Sequence, residues 1–383
     1  MYTEAYLKSI VDRFDNENVS DVELVDLINI IAESGDRIQL SETAFDFAST
    51  GGPSSLSTLL VPLFLFSCGV NVVNLAVPGR PAGAVDVLAQ MPNYNLSVNP
   101  LRNVSEKEHF YIHLEANEKY VPLDRALFTY RQKNNKVDVA NLVIASILSK
   151  KVATGASNIG LDVRMSKFGN FGKTWEECCR NSKKYNRIAA LLKLNSTCFI
   201  SDADRPYQKY IGRGESILAL NDIFCGNADD ELMEHVSYCK KMADEIIKKS
   251  NIIQNNRIQT NIRKSFAENL VLQGSSMDEF EEVVERINIK NREKVLAEKS
   301  GYVLFDLNKI KYIIKTQQEK CSNNTKYPDP CGVILLCRSG EYIEKGQPIL
   351  SVRSENPKVF DSFKETIVYL EKRIEINRKH EVI

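Results

Sequence analysis

Two groups of residues in this 383-residue chain have the types and spacing to do chemistry. Ser146 and Lys150, within VDVANLVIASILSKKV (137–152), lie four apart in a strongly periodic helical pattern. That spacing puts a hydroxyl and an ammonium on one helix face. Arg131 ends ALFTYR, fifteen residues before Ser146. Taken alone, Lys150 and Lys151 also read as a solvated last turn whose cations complement the helix dipole. The second group is DFASTGGPSSLSTLLVP (46–62). A β-type run over 45–48 leads into a glycine turn and then an apolar segment. Strand, glycine turn and helix start in that order can cradle an anion, because backbone N–H groups point into the turn and the helix dipole favours negative charge. Yet these residues include no lysine, arginine or histidine.

The elements that must position these groups follow an α/β alternation. Residues 4–35 read as helical, with Ser20 as an N-cap. From 45 to 130, FDFAS, VNVVNLAV and HFYIHL alternate with STLLVPLFLFSCG and AGAVDVLAQM, the pattern of strands interleaved with helices. NIGLDVRM (158–165) and STCFISD (196–202) read as further core strands, with a helix between them. Residues 227–300 are mostly helical. GYVLFDL, GVILLCRSGEYIEKGQPILSVRS and a final helix around 357–373 then form a small α+β unit.

Fifty basic residues balance fifty acidic ones, so no overall field recruits nucleic acid or an anionic membrane. Nine scattered cysteines include no C-x-x-C pair, which predicts reduced thiols in a cytoplasmic setting and no zinc site. Residues 56–77 are uncharged and long enough to span a bilayer, but Pro62, Gly69, Asn71 and Asn74 interrupt them, so a soluble chain is expected.

YRQKNNKVDVANLVIASILSKK resembles the pyrimidine nucleoside phosphorylases, thymidine phosphorylase and its relatives, in which an arginine, a serine and a lysine at this spacing hold the pyrimidine ring. The resemblance extends along almost the whole chain. AESGDRIQLSE, STGG with its following serine and apolar helix, and GRPAGAVDVLAQMP resemble successive family motifs around the phosphate loop. VPLDRALFTYR resembles the strand leading to the base-binding arginine. LDVRMSKFGNFGKTWEE resembles the lysine–glycine–phenylalanine loop, and DRPYQKYIGRGESI a later conserved segment. PAG-x-x-D at 81–86 leans toward the nucleoside-monophosphate branch. More distantly, the fold is shared with anthranilate phosphoribosyltransferase.

The resemblance implies an α/β fold of the nucleoside phosphorylase type: a small helical domain (1–44 with 132–157), a large mixed-sheet α/β domain (45–131 with 158–297) and a C-terminal α+β unit (298–383). It implies pentosyl transfer at the glycosidic bond of a pyrimidine-like nucleoside or nucleotide, with no cofactor and no metal, and a possible homodimer. Breaking that bond leaves an anionic base and an oxocarbenium-like sugar, so cations facing the base stabilise charge that grows in the transition state. By resemblance, Arg131 and Lys150 donate to the pyrimidine carbonyls and Ser146 contacts the ring N–H. Phosphate would lie among Ser49, Thr50, Gly51, Gly52 and Ser57.

The departures gather on the phosphate side. Phe47 and Ala48 stand where the family has lysine and histidine, Asn74 and Ala84 where it has a serine and a threonine, and Arg80 where it has histidine. Arg80 or Lys167 would have to supply the missing cation, and Arg164 beside Lys167 is a second loop cation to weigh. Two rivals therefore stand beside phosphorolysis: a same-fold enzyme using another acceptor or donor, water included, and a catalytically silent nucleoside-binding homologue. His109 and His113 read as strand residues better than as a metal pair, and Asp202 and Asp204 as loop carboxylates better than as magnesium ligands.

Overall fold

The computed structural model describes residues 2–16, 18–38, 40, 43–79, 81–97, 109–250, 261–321, 325–373 and 378–383. Its centre is a parallel sheet of five strands, β1 (Ala44–Ser49), β2 (Asn71–Ala76), β3 (Tyr111–Glu115), β4 (Asn158–Met165) and β5 (Asn195–Asp202). The spatial order is β5-β4-β1-β2-β3, and a sixth strand, His380–Val382, runs antiparallel to β5 at the edge. The chain builds outward from β1 through β2 to β3, then returns to the other side of β1 for β4 and β5. The order therefore reverses between β1 and β4, and in open α/β sheets the crevice at the carboxyl ends of such a pair is where ligands bind.

Side chains alternate across the sheet, and each face carries its own core. Ile159, Leu161 and Val163 of β4 pack toward the N-terminal helices Glu4–Phe14 and Asp21–Ala32 and toward Pro122–Lys133, Ala140–Thr154 and Trp175–Leu191. Phe45 and Phe47 of β1 pack toward Ser57–Ser67 and Asp230–Lys249 on the other side. Phe47 lies opposite Gly160 in the β1–β4 register, and a Cβ on Gly160 would overlap Phe47 and Ile246. The glycine thus makes room for a phenylalanine that is 1% exposed.

Ser20 caps the second N-terminal helix as expected, in a capping box with Glu23, and Thr3 caps the first by accepting from Tyr6 N. Two other expectations change. VPLDRALFTYR is not a strand but most of the Pro122–Lys133 helix. Pro122 occupies a first-turn position, where its missing N–H costs nothing, and Asp124, Leu127 and Arg131 share the buried face. The final helix is also shorter than 357–373. Phe360–Lys364 is helical, and the β-branched run after it becomes strand Ile367–Leu370, paired with Gly301–Phe305.

The C-terminal unit has its own core, including Val303, Ile314, Val333, Leu350 and Phe363. It is tied to the rest by a buried charge cluster. Arg353 grips Glu215 through Nε and Nη2 (2.9 and 2.8 Å), and Arg292 adds a third contact to the same carboxylate at 2.8 Å. Gly214 and Gly332 leave the space this cluster fills, which gives the GRGES segment a structural role. Among the described residues, no helix is long and apolar enough to cross a membrane.

Candidate active site

The Ala140–Thr154 helix runs against the direction of the sheet strands. Near its C-terminal end, Lys151 Nζ lies 2.8 Å from Asp46 Oδ2 early in β1. Just before its N-terminal end, Asp138 meets Lys173 from the segment after β4 at 3.3 Å.

The structure brings two of the three base-side residues into direct contact. Lys150 Nζ donates to Ser146 Oγ at 3.0 Å and to Asp124 Oδ2 at 2.6 Å. Asp124, on the neighbouring helix, was not singled out from the sequence. Its only signal is its place one turn from Leu127 and two from Arg131 on the same apolar face. Ser146 is half-buried between two buried neighbours, Ala145 and Ile147. Arg131 is 3% exposed, and its guanidinium donates to the carbonyls of Lys136, Val137 and Leu142. Burial draws its pKa down to about 10, which leaves it cationic at neutral pH. In this arrangement it braces the connection between its own helix and the one carrying Ser146 and Lys150.

Several groups of the glycine loop are held by the protein's own side chains and backbone. Gly51 adopts φ +93 and is exposed, with open space where a Cβ would stand. Thr50 N donates to the Asp162 carbonyl and Thr50 Oγ1 accepts from Arg164 N, both at 3.0 Å. Leu56 N donates to His235 Nε2 at 2.9 Å and Ser57 N to Ser55 Oγ at 3.2 Å. Gln208, from the DRPYQKY segment, donates to the Ser54 carbonyl and holds the loop from behind. His235 is neutral: its Nε2 accepts, and burial together with Arg164 and Arg378 holds its pKa well below the ordinary value.

A cation from β4 reaches the glycine loop. Asp162 and Arg164 are two apart, so they face the same side, and Arg164 Nε lies 2.8 Å from Asp162 Oδ2. Ser57 Oγ donates to that same Oδ2 at 2.7 Å and accepts from Arg164 Nη2 at 2.7 Å. Arg164 also approaches the Gly52 carbonyl, and a Cβ on Gly52 would meet its Cδ at 3.2 Å. Of the loop cations weighed from sequence, Arg164 is thus buried against the loop, whereas Lys167 is exposed and anchored only by its backbone N–H to Asp204. Arg80 lies outside the described residues. Ser49 is half-buried at the end of β1.

The side chains weighed as metal ligands have other partners. His113 is buried in β3, 2.5 Å from the Tyr111 hydroxyl, and burial pushes its pKa down to about 3. Asp204 accepts from Ser166 and Lys167, and Asp202 accepts from the Asp204 N–H. Among the described residues, no group of three or more His, Cys, Asp or Glu could hold a metal ion. An open depression of about 540 Å³, lined by Trp175, Glu176, Cys179, Arg180, Lys183 and Arg187, shares no residue with either cluster.

No protein-family model matches the chain. Among solved structures, anthranilate phosphoribosyltransferase (TrpD) from Thermus thermophilus aligns over 75% of this chain and 95% of its own, with 13% identity and a TM-score of 0.46. Sequence comparison is more telling. The pyrimidine-nucleoside phosphorylase of Staphylococcus haemolyticus is 24% identical over 385 residues, covering 94% of this chain and 86% of that protein. Its counterpart in Staphylococcus epidermidis (strain ATCC 12228) is 25% identical over 90% of this chain and 83% of its own length. That of Staphylococcus aureus (strain USA300) is 24% identical over 91% and 84%. The chain is thus similar to pyrimidine-nucleoside phosphorylases over about nine-tenths of its length.

Proposed function

We propose that the protein transfers the pentosyl group of a pyrimidine nucleoside, breaking the glycosidic bond between a base held at Ser146 and Lys150 and a sugar facing the glycine loop. The observation that carries the reading is the Lys150 ammonium, held at once by Asp124 and by the half-buried Ser146 hydroxyl. Support for the substrate class comes from relatives named pyrimidine-nucleoside phosphorylase that match along nearly the whole chain.

In this reading Lys150 and Ser146 meet the pyrimidine carbonyl and ring N–H, and the fixed cation stabilises negative charge as the base departs. Arg131 contributes to the same ring through N–H groups not taken by backbone carbonyls. The division into a small helical domain, a central α/β domain and a C-terminal unit belongs to the same proposal, as do the cytoplasmic setting and the homodimer.

The test is release of free pyrimidine from uridine, thymidine and cytidine by the full chain. Release is expected for at least one nucleoside, and Lys150→Met is expected to lower kcat/KM by about 10²-fold, the scale of losing one charge-stabilising donor. Binding without release from any of the three would overturn the reading in favour of a silent homologue.

A further inference from the structure

The anion place at the head of the Ser57–Ser67 helix is already filled by the protein's own carboxylate. Asp162 Oδ2 takes the Ser57 hydroxyl proton and the Arg164 Nε–H, which are the donors an incoming phosphate would need. The N–H groups of Thr50, Leu56 and Ser57 are also committed to protein acceptors. A phosphate dianion taking the Ser57 and Arg164 donors would have to displace Asp162 from them, or sit against a like charge that Arg164 already neutralises. The other oxygen, Asp162 Oδ1, is buried and has no hydrogen-bond partner among the described residues. A carboxylate oxygen is an acceptor only, so a small donor such as the O–H of water can complete it.

We propose that the pentosyl acceptor is water, activated by Asp162, so that the reaction is hydrolysis of a pyrimidine nucleoside. This rests on the pentosyl-transfer reading and specifies its acceptor. Water donates one proton to Asp162 Oδ1 as its oxygen forms the bond to C1′. The C1′–N bond breaks with its electron pair leaving on the base, whose charge faces Lys150. The proton held by Asp162 then passes, by way of solvent, to the base nitrogen. The products are free pentose and free base, and no redox partner or phosphate is consumed. Arg164 and Ser57 are positioning residues: they fix one carboxylate oxygen so that the other is presented to water.

The experiment incubates the full chain with uridine, thymidine and cytidine in H₂¹⁸O, with and without inorganic phosphate, and identifies both base and sugar. The expected result is free pentose carrying ¹⁸O at C1, at a rate that phosphate does not raise. Asp162→Asn is expected to lower kcat by about 10²–10⁴-fold, the range for losing a general base, while KM for the nucleoside is retained. The sugar product of the unsubstituted protein keeps the proposal testable even if that variant does not fold. Phosphate-dependent release yielding pentose 1-phosphate overturns water as the acceptor and leaves the pentosyl-transfer reading standing. Folded Asp162→Asn protein with unchanged kcat also overturns it. Nucleoside binding without any release overturns both readings together.

Discussion

Lys150 Nζ lies 2.6 Å from Asp124 Oδ2, with 6% and 2% of the two side chains exposed. The pair joins the two consecutive helices Pro122–Lys133 and Ala140–Thr154. Removing one partner strands a buried charge, which costs far more than replacing both. Asp124→Asn is therefore expected to lower stability by about 3–5 kcal/mol. The double substitution Asp124→Leu with Lys150→Met should recover most of that stability while nucleoside cleavage stays lost. Urea unfolding and base release, measured on the same preparations, check the two halves separately. Recovery of activity in the double variant would remove Lys150 from the chemistry.

The Asp46–Lys151 pair gives the fold a pH dependence whose sign can be worked out. Burial raises the Asp46 carboxyl from 3.8 to about 6, against the pull of Lys151. A folded pKa above the unfolded one means the native state holds the proton more tightly. The contribution is therefore fully present below about pH 4 and is lost as pH rises through about 6. The gap corresponds to about 3 kcal/mol. Unfolding midpoints of the natural chain and Asp46→Asn between pH 4 and 7 should differ in slope, the variant being flatter across that window. Parallel slopes would show that Asp46 does not titrate there.

Phe47 and Gly160 are complementary in volume. Gly160→Ala is expected to cost about 1–3 kcal/mol through overpacking against Phe47 and Ile246, and Phe47→Leu should relieve part of it. A double-mutant cycle in urea measures the coupling, and strict additivity would contradict the contact. Phe47→Lys, which writes the family's lysine into the strand, is expected to lose about 3 kcal/mol or more, because the side chain lies in an apolar core. Phosphate dependence should not appear with it. Base release assayed with and without phosphate decides.

The C-terminal unit depends on Glu215. Glu215→Gln is expected to leave Arg292 short of its countercharge and Arg353 with Asp329 alone, at a cost of about 3 kcal/mol. The readout is faster limited proteolysis between Met277–Asn288 and Gly301–Phe305, which flank the connection to that unit. Arg353→Lys should not substitute, because an ammonium cannot reproduce the paired Nε and Nη2 contacts. An unchanged cleavage pattern in both variants would show that the apolar interface alone holds the unit.

Much of the architecture was legible from local pattern. NIGLDVRM reads as a strand and is β4 to the residue, because its alternation and flanking breaks agree. Ser20 caps its helix as expected, with Glu23 completing a capping box. The Ser146–Lys150 contact follows from helix geometry alone, since residues four apart must meet. Misreadings arose where neighbours overrode propensity: VPLDRALFTYR has enough apolar and aromatic residues for a strand, but Pro122 and the Asp124–Leu127–Arg131 face commit it to helix.

By itself, then, the sequence determined the alternation of elements, the helix face carrying Ser146 and Lys150, and the absence of a cation in the glycine loop. Only the tertiary structure decided what stands in for that cation. Arg164 and Asp162 lie more than a hundred residues beyond Ser57, and they meet it because β4 folds back beside β1. Long-range pairing of this kind leaves no periodic trace in the chain. It depends on strand order and register, and one residue of slippage would turn both side chains to the opposite face.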